Sequence, residues 1–515
     1  MSEFLFQYHA VSPTTWVYLS SLLMIGLFFK FSRFWSVRNL DLILLILLAP
    51  GLLLVHFGSR IRSDEQLAAR AAQVEPPAAD AASLADAGDP DRPDGEPADV
   101  EPAGADSETA GEGASAAGQP SRNGSSPGAE EPQPAGSAEV ERPVPPLGRG
   151  AFVQRFGYFW LLGAGGLLLL RVLVDPMMVR RPLLLPNLSV GGLTFIGCSL
   201  FVFLMANVIT DDGGQDKVPP VVQGEPAPAD QVVPREADRD RLRVPETGPG
   251  YSLLGMLPTG ARKTMVILAH LTVVIGMAAV GYRHFDNVTS GIGAATLYLM
   301  LPYTALMTGR IDHIAPAALL VCAVLLYRRP LLAGMFLGIG CGVVYYPLFL
   351  LPLWLSFYWQ RGLVRFVIGT VSMLGVLAAV LAFTSTDVLA DIQRMFGLWP
   401  PSMQGLEGIW NREIGSWDPV FRLPVLAAFL ALSLSYALWP PQKNLGTLLS
   451  CSAAVMVATQ FWHGFGGGTY MAWYLPLVLL TIFRPNLEDR VALAVLGEGW
   501  LPRRRPPAPA VDLAA

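Results

Sequence analysis

The sequence predicts an all-α fold, a polytopic transmembrane helical bundle of about 12 to 13 membrane crossings. Three observations carry this. The 515-residue chain is 52% hydrophobic and only 15% charged, with a mean hydropathy of +0.42, where a soluble domain carries about 25% charged residues. Apolar runs approaching the roughly 20 helical residues that a bilayer needs recur along its length. Lys and Arg gather in short turns between alternate runs, the pattern that marks the cytoplasmic side.

Taken in order, residues 1–58 form a helix pair. A first span over Trp16–Phe29 is closed by Lys30, Arg33 and Arg38, and a second runs over Leu40–Phe57. The basic turn between them places the N-terminus outside. The first run lacks a basic leader and a small-residue cleavage site, which argues against a removable signal peptide. Residues 59–148 are rich in Ala, Pro, Gly, Glu and Asp, bury too little apolar surface to offset chain entropy, and read as a disordered acidic loop. Residues 149–209 supply a third span, Phe156–Val174, and a fourth, Val190–Ile209, with Arg180 and Arg181 placing their joint inside. At its edge, Asp175 and Arg171 read as an ion pair, since a charge at that depth needs a partner. Residues 210–250 form a second disordered polar loop, external by alternation, and Tyr251–Leu257 lies along the interface.

The main bundle spans residues 251–484. Its spans are Met265–Tyr282, Val288–Met307, Ile314–Tyr327, the hairpin described next, Phe366–Phe383, Leu423–Leu438, Leu445–Phe461 and Met471–Phe483. An outer loop over 384–419 carries Trp399, Trp410 and Trp417, too many tryptophans for disorder, and reads as an ordered cap at interfacial depth. Residues 485–515 form a basic cytoplasmic tail. The net charge of −5 comes from acidic residues in the two insertions, so nothing supports nucleic-acid binding. Cys198, Cys322, Cys341 and Cys451 lie in apolar runs without metal-type spacing and read as core residues. No Walker loop, dinucleotide fingerprint, zinc-binding helix or transporter-like repeat is present, and no metal ligand is assigned.

The stretch Thr308–Val367 organises the rest. Two basic clusters, Tyr327-Arg328-Arg329-Pro330 and Gln360 to Arg365, both belong inside, so the segment between them must go out and return. Pro330–Tyr346 and Pro347–Trp359 are each short for a span, and Pro347 removes a backbone donor between them. The reading is a helical hairpin bent at Val344, Tyr345, Tyr346 and Pro347. Irregular backbone at membrane depth is tolerated only against protein or a wet cavity, which makes the bend a candidate site wall.

A Gly-polar-Asp turn, an apolar helix, the Arg328-Arg329-Pro330-Leu331-Leu332-Ala333-Gly334 start, a Gly-rich helix ending in Tyr346-Pro347, a Leu/Pro run and a basic turn together resemble the polyprenol-phosphate-mannose-dependent membrane glycosyltransferases. This is the C-type superfamily that includes the phosphatidylinositol mannosyltransferases. The resemblance is best over residues 308–367; where family members often carry Lys before Tyr-Pro, this chain has Val344 and Tyr345. It implies transfer of a mannose-like sugar from a polyprenyl-phosphate donor to a lipid or surface-glycan acceptor, outside a bacterial-type inner membrane. Membrane lipid and the lipid-linked sugar are then the partners, with no cofactor beyond that donor.

Such transfer needs a carboxylate to take the acceptor proton and cations beside the leaving phosphate. The external turns offer Arg310, whose fork matches phosphate, with Asp312 two residues on. Asp312 reads as a catalytic base, an acceptor ligand, a partner of Arg310 or a helix cap. Asp211 and Asp212 are a second candidate for the base or for a metal role, or solvated loop residues. His313, Tyr345, Tyr346, Trp417, His463 and Tyr470 are candidate substrate-binding groups, with His463 alternatively an interfacial histidine. Glu407 and Glu413 read as cap surface. The alternative functions are a non-catalytic membrane scaffold or lipid-handling protein, and a transporter. Cysteine-accessibility labelling is expected to reach the 59–148 insertion from outside and the Arg328 and Arg361 turns only from the cytoplasm; external labelling at position 328 overturns the hairpin.

Overall fold

The computed structural model describes residues 12–74, 148–178, 184–210, 253–254, 257–360, 362–384, 388, 403, 406–415, 417–441 and 443–485. The described residues contain helices, turns and no β-strand. Seven helices are long and apolar enough to cross a membrane, and five shorter apolar ones accompany them. The protein is a multi-pass integral membrane helical bundle. Asp211 and Asp212, residues 75–147 and 211–250 of the two polar insertions, Trp399 and the tail after Pro485 lie outside the described residues.

The first helix, α1, spans Pro13–Phe28 and starts under a Ser12 cap, whose side chain accepts from the Thr15 amide at 3.3 Å. The basic turn after it is held by Asn39. Its amide nitrogen donates to the carbonyls of Lys30, Arg33 and Phe34 at 2.9, 3.0 and 3.1 Å, and its oxygen accepts from the Lys30 amide at 3.1 Å.

Helix α2 runs Val37–Val74 and α3 runs Arg149–Val174. Both extend beyond the predicted spans, so the helical boundary at Gly58 is corrected: Ser59 to Val74 is helix. Arg, Glu, Gln, Leu and Ala in this stretch are good helix formers, and the two helices pack closely. A Cβ on Gly58 would fall 2.5 Å from the Gln154 amide nitrogen, and one on Gly150 would fall 2.4 Å from that of Arg62. Glu65 accepts from the Gly150 amide at 3.2 and 3.3 Å, satisfying a donor at the start of α3.

Helix α4 is Val190–Thr210, α5 is Thr259–His284 and α6 is Val288–Met300. The single span predicted over Val288–Met307 is broken: Leu301 is extended (φ −59°, ψ 133°) and Pro302 starts a short α7, Pro302–Leu306. Proline disfavours helix at the residue before it. Helix α8 follows at Ile311–Leu325.

The hairpin forms as expected. Helix α9, Pro330–Val343, stops at extended Val344; a 3₁₀ turn, Tyr346–Leu350, leads into α10, Leu351–Tyr358. The Tyr358 hydroxyl donates to the Tyr327 carbonyl at 2.6 Å, drawing the two basic turns to one end. The glycines of α9 let it lie directly on α11, Leu363–Thr384: a Cβ on Gly334 would sit 2.3 Å from the Phe366 carbonyl oxygen, and one on Gly338 2.8 Å from that of Thr370. Without a hydrophobic force between lipid-embedded helices, such close backbone packing is what joins them.

After the short α12, Arg412–Gly415, come α13, Arg422–Leu438, and α14, Leu445–Trp462. Helix α14 starts with a reciprocal Asn444–Thr447 cap and is buried almost throughout, so the other helices surround it. Helix α15, Leu475–Phe483, ends the described chain.

Two sequence expectations are corrected by burial. Cys198 is exposed on α4, whereas Cys341 and Cys451 are buried; a lipid-facing position is as apolar in sequence as a core one. Trp410 is buried, donating from Nε1 to the Phe461 carbonyl at 3.2 Å, instead of lying at the interface. The Arg171–Asp175 pair is present at 3.1 Å and belongs to a larger network. Arg171 also holds both oxygens of Asp41, at 2.6 and 3.0 Å, and Arg484 reaches Asp175 at 2.7 Å. Asp175 is wholly buried, so its two cations offset a large desolvation cost.

The glycine contact gives a direct test. Gly334→Val is expected to cost about 1–3 kcal/mol, because its methyls meet backbone that cannot turn aside. Gly375→Val on α11, where an added Cβ meets nothing within 4 Å, is expected to leave stability unchanged. Thermal denaturation of the two detergent-purified variants reads the difference; equal losses refute the tight α9–α11 contact.

Candidate functional site

Three interruptions in the helices meet at the end of the bundle opposite the basic turns: the α6–α7–α8 corner, the hairpin bend and the turn between α14 and α15. Arg310, just before α8, grips Asp312 in its first turn with two parallel bonds, Nε to Oδ1 at 3.1 Å and NH2 to Oδ2 at 2.8 Å. The Asp312 carboxylate is almost fully buried, while 31% of the Arg310 side chain remains exposed. His313 Nε2 lies 3.6 Å from Asp312 Oδ2, and its Nδ1 shares a hydrogen bond with the Tyr303 hydroxyl from α7.

A continuous run of rings leads away from this pair. His313 stacks on Tyr470 at 4.4 Å between centroids, and Tyr470 lies 4.6 Å from His463. His463 meets Tyr346 at 5.0 Å, and Tyr346 stacks on Tyr345 at 4.3 Å. Trp473 closes the group: its ring is 5.0 Å from Tyr346, and its Nε1 donates to the Asp312 carbonyl at 3.0 Å. Offset aromatic pairs at these separations add to the burial of their rings.

The His463–Tyr470 turn is shaped by its glycines and by one polar side chain. Gly466 and Gly468 have φ of +66° and +94°, conformations that side chains resist. Gln460, near the end of α14, accepts from the amides of Gly468 and Tyr470, each at 3.2 Å, and so fixes Tyr470 in place. Arg422, at the start of α13, is buried beneath the turn. Its Nε donates to the Trp462 carbonyl at 2.6 Å, and its guanidinium lies 5.5 Å from the Trp462 ring. His463 Nδ1 accepts from the Phe465 amide at 3.1 Å, so its own proton sits on Nε2. Burial, with Arg422 close by, pushes its pKa down to about 3.

The structure thus brings together Arg310, Asp312, His313, Tyr345, Tyr346, His463 and Tyr470. Trp417 belongs to a different aromatic group, 5.6 Å from Phe159 and 6.2 Å from Trp410. Among the described residues no cluster of His, Cys, Asp or Glu could hold a metal ion. Sequence reasoning missed Tyr303, Arg422, Gln460 and Trp473. Gln460 carried a signal, as an amide at the end of an otherwise apolar helix, and so did Arg422, a cation entering one. Tyr303 and Trp473 had none, since aromatic residues beside apolar runs are common.

The chain matches no known family model, no curated protein and no solved structure.

The neutral imidazole of His463 has a consequence for stability. Its folded pKa is depressed below the unfolded value of about 6.5, so the unfolded chain binds the proton first as pH falls. The stability this histidine allows is complete above about pH 6.5 and is lost progressively as pH drops towards 3. His463→Gln keeps an acceptor and cannot titrate, and the charged or titratable groups facing the site, Arg422 and His313, are unchanged. Its melting temperature is expected to fall less steeply than that of the wild type between pH 6.5 and 4.5; parallel curves refute a neutral buried His463.

Proposed function

We propose that the protein is a glycosyltransferase that moves a mannose-like sugar from a polyprenyl-phosphate donor to a lipid or surface-glycan acceptor, on the non-cytoplasmic face of a bacterial-type inner membrane. The observation that supports it best is the convergence, from separate segments of one bundle end, of a guanidinium fork with carboxylate, imidazole, phenol and indole groups. A lipid-linked donor brings a phosphate to this depth, and Arg310 is the partly exposed cation that fits it. Aromatic faces with polar edges suit a sugar, which presents apolar C–H surface and hydroxyls together. The membrane itself supplies the donor's chain with a path to the site. No cofactor is required beyond that donor.

One observation favours a second reading, a scaffold or lipid-handling protein without catalysis: both oxygens of Asp312 are taken by Arg310. In that case the pair is a stabilising element of the corner.

The two readings separate on the Arg310 variants. In membranes supplied with polyprenyl-phosphate mannose, Arg310→Ala is expected to lower transfer per folded molecule by the equivalent of about 1.5–3 kcal/mol, the worth of a charged hydrogen bond, which is roughly 10- to 150-fold. Arg310→Lys, a charge without the fork, should fall between. Unchanged transfer per folded molecule, with loss confined to the amount of folded protein, assigns the pair to structure alone.

A further inference from the structure

Resting on the transferase reading, the geometry points to Glu407 as the general base that takes the acceptor's proton, with Asp312 acting only to position Arg310. Among the described residues, the other carboxylates at this end of the bundle are engaged. Asp312 is buried and gives both oxygens to Arg310, so taking a proton would break a paired, desolvated charge. Asp418 caps the Val420 amide at 3.0 Å and pairs with Arg412 at 3.3 Å. Glu65 is spent on the Gly150 amide. Among the described residues, no hydrogen-bond donor engages the Glu407 carboxylate, and the residue is exposed.

Its backbone, by contrast, is firmly held. The Glu407 amide donates to the Gly464 carbonyl at 2.8 Å, next to His463 in the ring run. Gly408 takes a φ of +66°, and a Cβ there would meet the Gly466 Cα at 3.1 Å and the Tyr158 ring at 3.2 Å. Two residues on, Trp410 is anchored by its bond to the Phe461 carbonyl. A segment pinned to the glycine turn by its amide and by the residues that follow it thus carries one carboxylate with open oxygens beside the site. Arg310 is close enough to act on it. Partial burial of the carboxyl holds its pKa above the ordinary value, with Arg310 pulling the other way, and a raised pKa is the direction that suits a base working near neutral pH.

The step balances without a further reactant. The acceptor hydroxyl oxygen bonds to the anomeric carbon, the bond from that carbon to the donor phosphate oxygen breaks, and its electron pair leaves with polyprenyl phosphate. The hydroxyl proton passes to a Glu407 oxygen and later to water. Arg310 faces the charge that grows on the leaving phosphate.

The test uses the full-length protein in native membranes with polyprenyl-phosphate mannose, following release of polyprenyl phosphate. Glu407→Gln is expected to lower kcat by about 10²–10⁴-fold with KM and folded amount held. Glu407→Asp should keep part of the rate, and Glu407→Ala should regain rate on addition of formate, a small base that a structural role would ignore. A wild-type rate in Glu407→Gln, or a lost rate in Glu407→Ala that formate leaves untouched, overturns the assignment while the transferase reading stands. A wild-type protein that releases no polyprenyl phosphate overturns both.

Discussion

Backbone that is not helical must be covered by protein when it lies within a membrane, because nothing in lipid can satisfy its hydrogen bonds. That constraint arranges this molecule. The chain leaves the helical path at Leu301–Pro302, at Val344–Tyr346 and at His463–Tyr474, and the last of these packs against both the start of α8 and the hairpin bend. The Asp312 carbonyl is met by the Trp473 indole, and the Tyr346 ring by His463 and Trp473. Once three such breaks are gathered at one end, the polar side chains that open there are gathered with them. The candidate site is in this sense a by-product of keeping lipid away from bent backbone.

Much of the bundle was legible because apolar run length and the placement of basic residues are both one-dimensional signals. The spans, the hairpin and the Arg171–Asp175 pair could be read from them. What could not be read depends on neighbours distant in sequence. The helical continuation of α2 past Gly58 rests on contact with α3, across a long polar insertion. Cys198 and Cys341 have similar apolar surroundings in sequence, and only packing separates a lipid-facing position from a core one. The same limit applies at the site. Arg310, Asp312, His313 and Tyr346 stood out as polar or aromatic interruptions, but that Asp312 has both oxygens occupied while Glu407 does not is a property of three dimensions. Glu407 looked like surface because it is surface.

The two ends of the bundle use charge differently. At the basic end, Asp41, Arg171, Asp175 and Arg484 form a buried run of alternating charges, suited to holding helices at fixed separation. At the other end, Arg310 is paired yet partly open, and Glu407 is open. Desolvated, fully matched charge favours rigidity; partly hydrated charge beside stacked rings can exchange one partner for another.

The link from Arg484 to Asp175 joins residues 309 positions apart, which bears on the order in which a ribosome delivers this chain. Asp41, Arg171 and Asp175 enter the membrane early, before this contact can form. The Arg484 guanidinium arrives only after the last helix, and Trp473, which completes the cover over α8, only just before that helix. A truncated product that ends before residue 473 would therefore lack the Arg484 contact to buried Asp175 at one end and carry an uncovered bend at the other. Such a chain displays its incompleteness on both faces of the bilayer, where membrane proteases and insertion chaperones can act on it.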